Sequence, residues 1–150
     1  MARVRQLETW HRQLRLVIPA VQAWVAALDK ADPNYDHHLC EALWVTWAQN
    51  QPLAGLVKRC LASAKPEARA AAASVLRFNP EKISESTQLL LQAARDAHGR
   101  VRLEAMVGAS WLDNTDGARI ALEVLKFPLD RWMGPVTDYI LVYTLKDDIE

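Results

Sequence analysis

Ala68-Arg69-Ala70-Ala71-Ala72 is answered thirty-three positions later by Val101-Arg102-Leu103-Glu104-Ala105, and a fainter copy, His38-Leu39-Cys40-Glu41-Ala42, stands thirty positions before it. A stripe of small residues returning at this period is what stacked supersecondary units leave in a sequence. One helix pair cannot bury its own apolar face, so successive pairs cover one another. The alanine run suits that role twice over. Alanine is the strongest helix former, and its small side chain lets two helix axes approach closely.

Working outward, each copy sits in a helix-turn-helix setting. Arg3 to Leu16 read as a basic amphipathic helix, and Pro19 as a first-turn residue of the next one. Val21, Trp24, Val25 and Leu28 give the i, i+3, i+4, i+7 stripe of a buried face. The turn-rich run Asp29–Asp36 ends on an expected N-cap, Asp36. A return helix over 37–49 buries Leu39, Ala42, Leu43 and either Thr46 or Trp47, closed by Asn50-Gln51-Pro52. Leu53, Leu56, Val57, Cys60 and Leu61 form the cleanest stripe, followed by a turn at 63–65 and a helix from Pro66. Asn79-Pro80 breaks that helix, Ser84 or Ser86 is the expected cap of the next, and His98-Gly99 its expected stop. Thr87, Leu90, Leu91 and Ala94 point inward, then Val101, Ala105, Gly108, Ala109 and Leu112. In the last pair the inward set is Ala118, Ala121, Leu122 and Leu125, and a helix over 135–146 is apolar almost all round. No segment alternates with period two, and no hairpin signal flanks a β-branched run. The expectation is an all-α single domain over 1–150: an N-terminal helix over 1–17 and four antiparallel pairs near 18–49, 52–78, 83–112 and 115–146.

Composition narrows the function classes. The 150 residues are 51% hydrophobic, enough for a core, and 24% charged. Lys plus Arg equals Asp plus Glu at 18 each, with a pI near 6.9, which counts against binding a phosphate backbone. No apolar run approaches the roughly 20 residues that cross a bilayer. The start, Met1 to Gln6, carries charge without an apolar stretch before Glu8, so no signal peptide is expected. Cys40 and Cys60 lie in no CxxC or CxxCH arrangement and read as small core residues, with a disulfide as the minor alternative.

Candidate chemistry is thin. His37, Cys40 and Glu41 share a helix face with a spacing that can hold a metal, yet nothing nearby completes a ligand set. The plainer reading is a first-turn histidine, an inward cysteine and a solvated glutamate; His11 and His98 read as isolated surface residues. Asp113, Thr115, Asp116 and Gly117 resemble a calcium loop only superficially, since Ala118 and Val124 stand where glycine and glutamate belong. No nucleophile elbow, phosphate-cradling loop or zinc-protease motif occurs. Asp147, Asp148 and Glu150 read as a solvated terminal run. No catalytic, cofactor-binding or metal residue is therefore assigned. The six tryptophans are more informative. Trp44 and Trp47 are three apart on one helix whose inner stripe is already filled, so at least one ring should reach solvent. Trp44, Trp47, Trp111, Tyr139 and Tyr143 are the candidate protein-interaction residues, because such rings dominate interface energetics. Trp10 and Trp132 also sit near helix ends, where plugging gaps between units is the plainer role. The Arg3, Arg5, Arg12 and Arg15 face reads as solvated.

Lys65 to Ala72 and Gly99 to Ala105 resemble the second helices of HEAT repeats, in which an apolar residue followed by arginine recurs. Arg69 and Arg102 occupy that place, and the resemblance implies that they bond to neighbouring turns and align successive repeats. It covers about Val17 to Leu145; Leu39 and Thr137 depart from it, standing where arginine belongs in the first and last pairs. A narrower similarity joins His37 to Val45, Ala68 to Arg77, Gly99 to Ala105 and Thr137 to Leu145 to the HEAT region of large planctomycete-type secreted proteins. Those carry a dehydrogenase-like propeller and a haem-binding CxxCH domain, neither of which lies in this chain. The resemblance implies a right-handed, armadillo-like α-solenoid acting as a non-enzymatic scaffold or domain spacer. Its partner is a protein or a neighbouring domain of a parent chain, exported in the proteins it resembles, and its concave wall is lined by the return helices. It supplies no cofactor. The runner-up is nucleic-acid binding, as in HEAT-like DNA repair glycosylases. A third reading is a subunit that completes another protein's active site. The apolar last helix adds an expectation of self-association through 136–145, or of excision from a longer chain.

Overall fold

The computed structural model describes residues 2–112 and 114–144, with side chains given over 15–112 and 115–142. Within them the chain is all-α, with no strand. Eight helices follow in order: α1 (Ala2–Ala27), α2 (Tyr35–Ala48), α3 (Ala54–Leu61), α4 (Pro66–Arg77), α5 (Ser86–Ala93), α6 (Gly99–Ala109), α7 (Asn114–Val124) and α8 (Met133–Thr144).

Consecutive helices pack as pairs, and the even-numbered helices also pack in series: α2 on α4, α4 on α6, and α6 on α8. The α4–α6 seam is the most extensive contact in the molecule. Ala68, Ala70, Ala72 and Ala73 of α4 are buried, as are Val101, Ala105 and Ala109 of α6. One continuous apolar cluster runs from Val25 through Leu43, Val57, Leu76, Leu90 and Met106 to Ile140. On α5 and α6 the seam is so close that a Cβ on Gly108 would lie 2.9 Å from Leu90 Cδ2 and 3.7 Å from Arg77 Cβ.

The turns repeat as regularly as the helices. Three residues before each return helix an oxygen-bearing side chain accepts the backbone N–H two residues on. Asp32 takes Asn34 N at 2.8 Å, Ser63 takes Lys65 N at 2.9 Å, Asp96 takes His98 N at 2.8 Å, and Asp130 takes Trp132 N at 2.8 Å. Such side-chain turns hold the chain out of helix until the next one begins. The expected caps differ accordingly. Asp36 lies in the first turn of α2 behind Asn34, and Ser86 opens α5 behind Glu85 while its hydroxyl donates to Pro80 O. His98 and Gly99 do not end a helix. His98 is the N-cap of α6, its Nδ1 accepting from Arg100 N at 3.3 Å, and Gly99 is the first helical residue.

Three other expectations are corrected. The separate helix over 1–17 merges into α1, which runs unbroken through Pro19. Pro19 removes the donor to the Arg15 carbonyl, but both residues are exposed, so water can satisfy that oxygen. Trp24 is 42% exposed, beside the imidazole of His38, while Val25 with Val21 and Leu28 carries the packing. In α7 the buried register is Gly117, Ile120, Ala121 and Val124, whereas Leu122 and Leu125 face outward. The helix begins at Asn114, so Thr115, Asp116 and Gly117, expected in the turn before it, lie in its first turns, and Asp113 itself lies outside the described residues.

After α2 the chain stops by a different device. Asn50 adopts φ 59°, its N–H bonding Trp47 O at 2.7 Å while Gln51 N bonds Thr46 O at 3.0 Å. This is the paired closure of a left-handed helix terminus, and Pro52 follows where the helix cannot resume.

Candidate interaction surface

Arg69 and Arg102 stand at matching places in α4 and α6 and make matching bonds. Arg69 Nη1 donates to the carbonyls of Ser63 at 3.0 Å and Ala64 at 3.1 Å. Arg102 Nη1 donates to those of Asp96 and Ala97, both at 2.9 Å. Each then reaches into the following turn. Arg69 grips the Asp96 carboxylate with two bonds, at 2.7 and 2.9 Å, and Arg102 Nη2 donates to Pro128 O at 3.1 Å beneath the Phe127 ring. Burial works against the Asp96 charge, but the Arg69 fork and the His98 N–H outweigh it and hold that carboxyl below the usual aspartate range. Asp96 in turn raises Arg69, so both stay charged.

These clamps fix the N-terminal ends of α4 and α6 side by side. Aromatic rings join their C-terminal ends, so the two helices run in the same direction. Trp44 and Trp47 of α2 lie 5.4 Å apart between ring centroids. Trp47 stacks on Phe78, just past α4, at 5.5 Å, and Phe78 meets Trp111, just past α6, edge-on at 5.7 Å. These spacings fall in the favourable range for aromatic pairs. The row crosses three helix pairs and stays open to solvent: Trp44 is 39% exposed, Phe78 41% and Trp111 62%. The Arg77 guanidinium covers one face of Phe78 at 4.1 Å.

Beside the row lies an open groove of about 350 Å³, floored by Ala70, Ala71 and Ser74 and flanked by Trp44, Glu67, Arg100 and Glu104. Arg100 and Arg77 both approach Glu104, at 2.9 and 3.8 Å, so charge on this wall is locally balanced. Along the wall Glu67 and Arg100 stand near the starts of α4 and α6, small residues lie in the middle, and rings lie at the ends with the Arg77 guanidinium against Phe78.

Of the sequence candidates, Trp44, Trp47 and Trp111 belong to one surface. Tyr139 is exposed on α8, and the side chain of Tyr143 lies outside the described residues, as do those of Trp10 and His11. Phe78, at the centre of the row, escaped the sequence reading. A signal for it exists, because Trp47, Phe78 and Trp111 recur thirty-one and thirty-three positions apart, each within two residues of a helix end.

His37, Cys40 and Glu41 do not assemble as ligands. His37 faces Glu41 at 3.5 Å, and no group of three or more candidate ligands occurs among the described residues. Cys60 is buried and Cys40 half-buried, both as free thiols that interact with each other. That interaction favours ionisation of Cys40, against burial and three nearby carboxylates, and pushes Cys60 strongly upward. Among the described residues no helix is long and apolar enough to cross a membrane. Comparison with family models, with curated proteins and with solved structures gives no match.

Proposed function

We propose that this chain is a non-enzymatic scaffold, a short right-handed α-solenoid of HEAT type, that holds a protein segment across its return-helix wall. The row Trp44–Trp47–Phe78–Trp111 carries the reading. Exposed rings aligned across successive units are a poor use of buried-surface energy unless something covers them. The groove's small-residue floor leaves room for a backbone, and the rings and charged groups around it suit an amphipathic segment. The shared clamps of Arg69 and Arg102 support the solenoid reading, and so does the serial packing of α2, α4, α6 and α8. Arg77 and Arg100 face Glu104 rather than forming a cationic stripe, which favours protein over nucleic acid. On the resemblance to planctomycete-type exported proteins, the segment held belongs to a neighbouring redox domain and the chain acts as a spacer.

Panning a random peptide library on the immobilised chain tests this reading. Selected peptides should be amphipathic, shift tryptophan emission to the blue, and bind the Phe78→Ser, Trp111→Ser double variant at least about tenfold more weakly. Equal binding to that variant would dismiss the wall as the site.

Among the described residues Val142 on α8 and Leu122 and Leu125 on α7 are exposed apolar side chains. Self-association through α8 is part of the proposal. Light scattering should show a concentration-dependent dimer that Val142→Lys abolishes; a monomer throughout would remove this part.

A further inference from the structure

An apolar trough lies away from the return-helix wall, between α1 and α3. These two helices share no extensive seam, as is also the case for α3 and α5, whereas α5 and α7 pack directly. The space left has a volume of about 450 Å³ and is walled by Val21, Val25, Pro52, Leu53 and Leu56, with Arg59 as its one charged residue. That volume is within the usual range for small-molecule sites.

Arg59 makes the trough more than a packing gap. Its Nη2 bonds the Tyr35 hydroxyl at 2.6 Å and its Nη1 lies 3.5 Å from the Val25 carbonyl. The guanidinium sits 5.7 Å from the Tyr35 ring, and no carboxylate among the described residues pairs with it. The contrast with Arg69 is direct. Arg69 has the Asp96 carboxylate, whereas Arg59 has only neutral acceptors. A half-buried cation without a counter-charge bears a desolvation cost that an anionic ligand would offset. Gly55 lies on the rim, where a Cβ would meet no heavy atom within 4 Å, so a larger side chain can be placed there.

We propose that the α1–α3 trough binds a soluble amphiphilic anion, an alkyl carboxylate of medium length, with its head on Arg59 and its chain along Val21, Val25, Leu53 and Leu56. The guanidinium fork matches a carboxylate, giving paired charge-assisted bonds that no neutral head can make. The walls are aliphatic and the Tyr35 ring sits beside the cation rather than along the trough, which favours a flexible alkyl chain over a flat aromatic ligand. This site is independent of the interaction wall, and either can fail without the other.

Titration of the full chain with decanoate below its micellar concentration, followed by calorimetry and amide chemical shifts, tests the assignment. One saturable site is expected, with shifts confined to α1 and α3. Decanol should bind about tenfold more weakly or worse. Gly55→Trp fills the trough from an unobstructed position and should weaken decanoate at least tenfold with unchanged thermal stability. Arg59→Gln should weaken decanoate similarly while leaving decanol unaffected. Non-saturable binding, equal affinity for decanol, shifts centred on α4 and α6, or decanoate binding that survives Gly55→Trp would each overturn the proposal.

Discussion

The junction between the second and third pairs and the junction between the first and second solve the same problem in opposite directions. In the former, an arginine on the return helix reaches forward: Arg69 holds its own turn and the next one through Asp96. In the latter, Leu39 stands in the arginine place, buried at 1% exposure, and the link comes from Arg59 on the following pair, which reaches back to Val25 and Tyr35. At the far end Thr137 takes the arginine place. Its buried hydroxyl lies 2.8 Å from Met133 O and 3.0 Å from Met106 Sδ. The two forward clamps, Arg69 and Arg102, each also hold the backbone carbonyls of the turn before their own helix. Substitution should expose that difference.

The largest effect is expected at Arg102. Its side chain is buried and satisfies three carbonyls, so Arg102→Ala should cost about 3 kcal/mol in urea unfolding. Arg59→Ala, removing a reach toward more exposed partners, should cost about 1 kcal/mol. Equal costs would mean that a forward clamp and the backward one are energetically alike and the comparison only geometric.

Gly108→Ala should come next, at about 1–2 kcal/mol of destabilisation despite alanine's better helix propensity. The added methyl would press on Leu90, which is itself fully buried. Alanine at Gly55 meets nothing and should be neutral or slightly stabilising. A stabilising Gly108→Ala would show that α5 and α6 can separate freely.

The smallest effect is a dependence on pH. Because folding lowers the Asp96 pKa, its contribution is present above the ordinary aspartate value of 3.8 and is lost as pH falls through the lower folded value. Asp96→Asn should therefore be about 1 kcal/mol less stable at neutral pH and converge with the parent chain in strong acid. A constant difference across that range would show that the fork acts by shape rather than charge.

The regular parts of this chain were legible because they rest on local rules. The Leu56–Val57–Cys60–Leu61 stripe, the helix starting at Pro66 and the alanine seam each follow from helical periodicity and propensity. Caps were less legible. Asp36 and Ser86 are as good a sequence match for an N-cap as any residue here. The positions in use, Asp32, Ser63, Asp96 and Asp130, are recognised only by their shared offset from the return helices. The register of α7 was misread because Leu122 and Leu125 look inward on hydrophobicity alone, and the choice of Ile120 and Val124 belongs to the helices packed against α7.

By itself the sequence determined the helical class, the period near thirty residues and the places of Arg69 and Arg102, because propensity and periodicity act between residues a few positions apart. Only the tertiary structure decided that Phe78 bridges Trp47 to Trp111, that Arg59 meets no carboxylate among the described residues, and that Pro19 lies within one helix. Each of those outcomes depends on which groups come within a few ångströms across different helices, or on whether water reaches a backbone oxygen, and neither is written in the spacing along the chain.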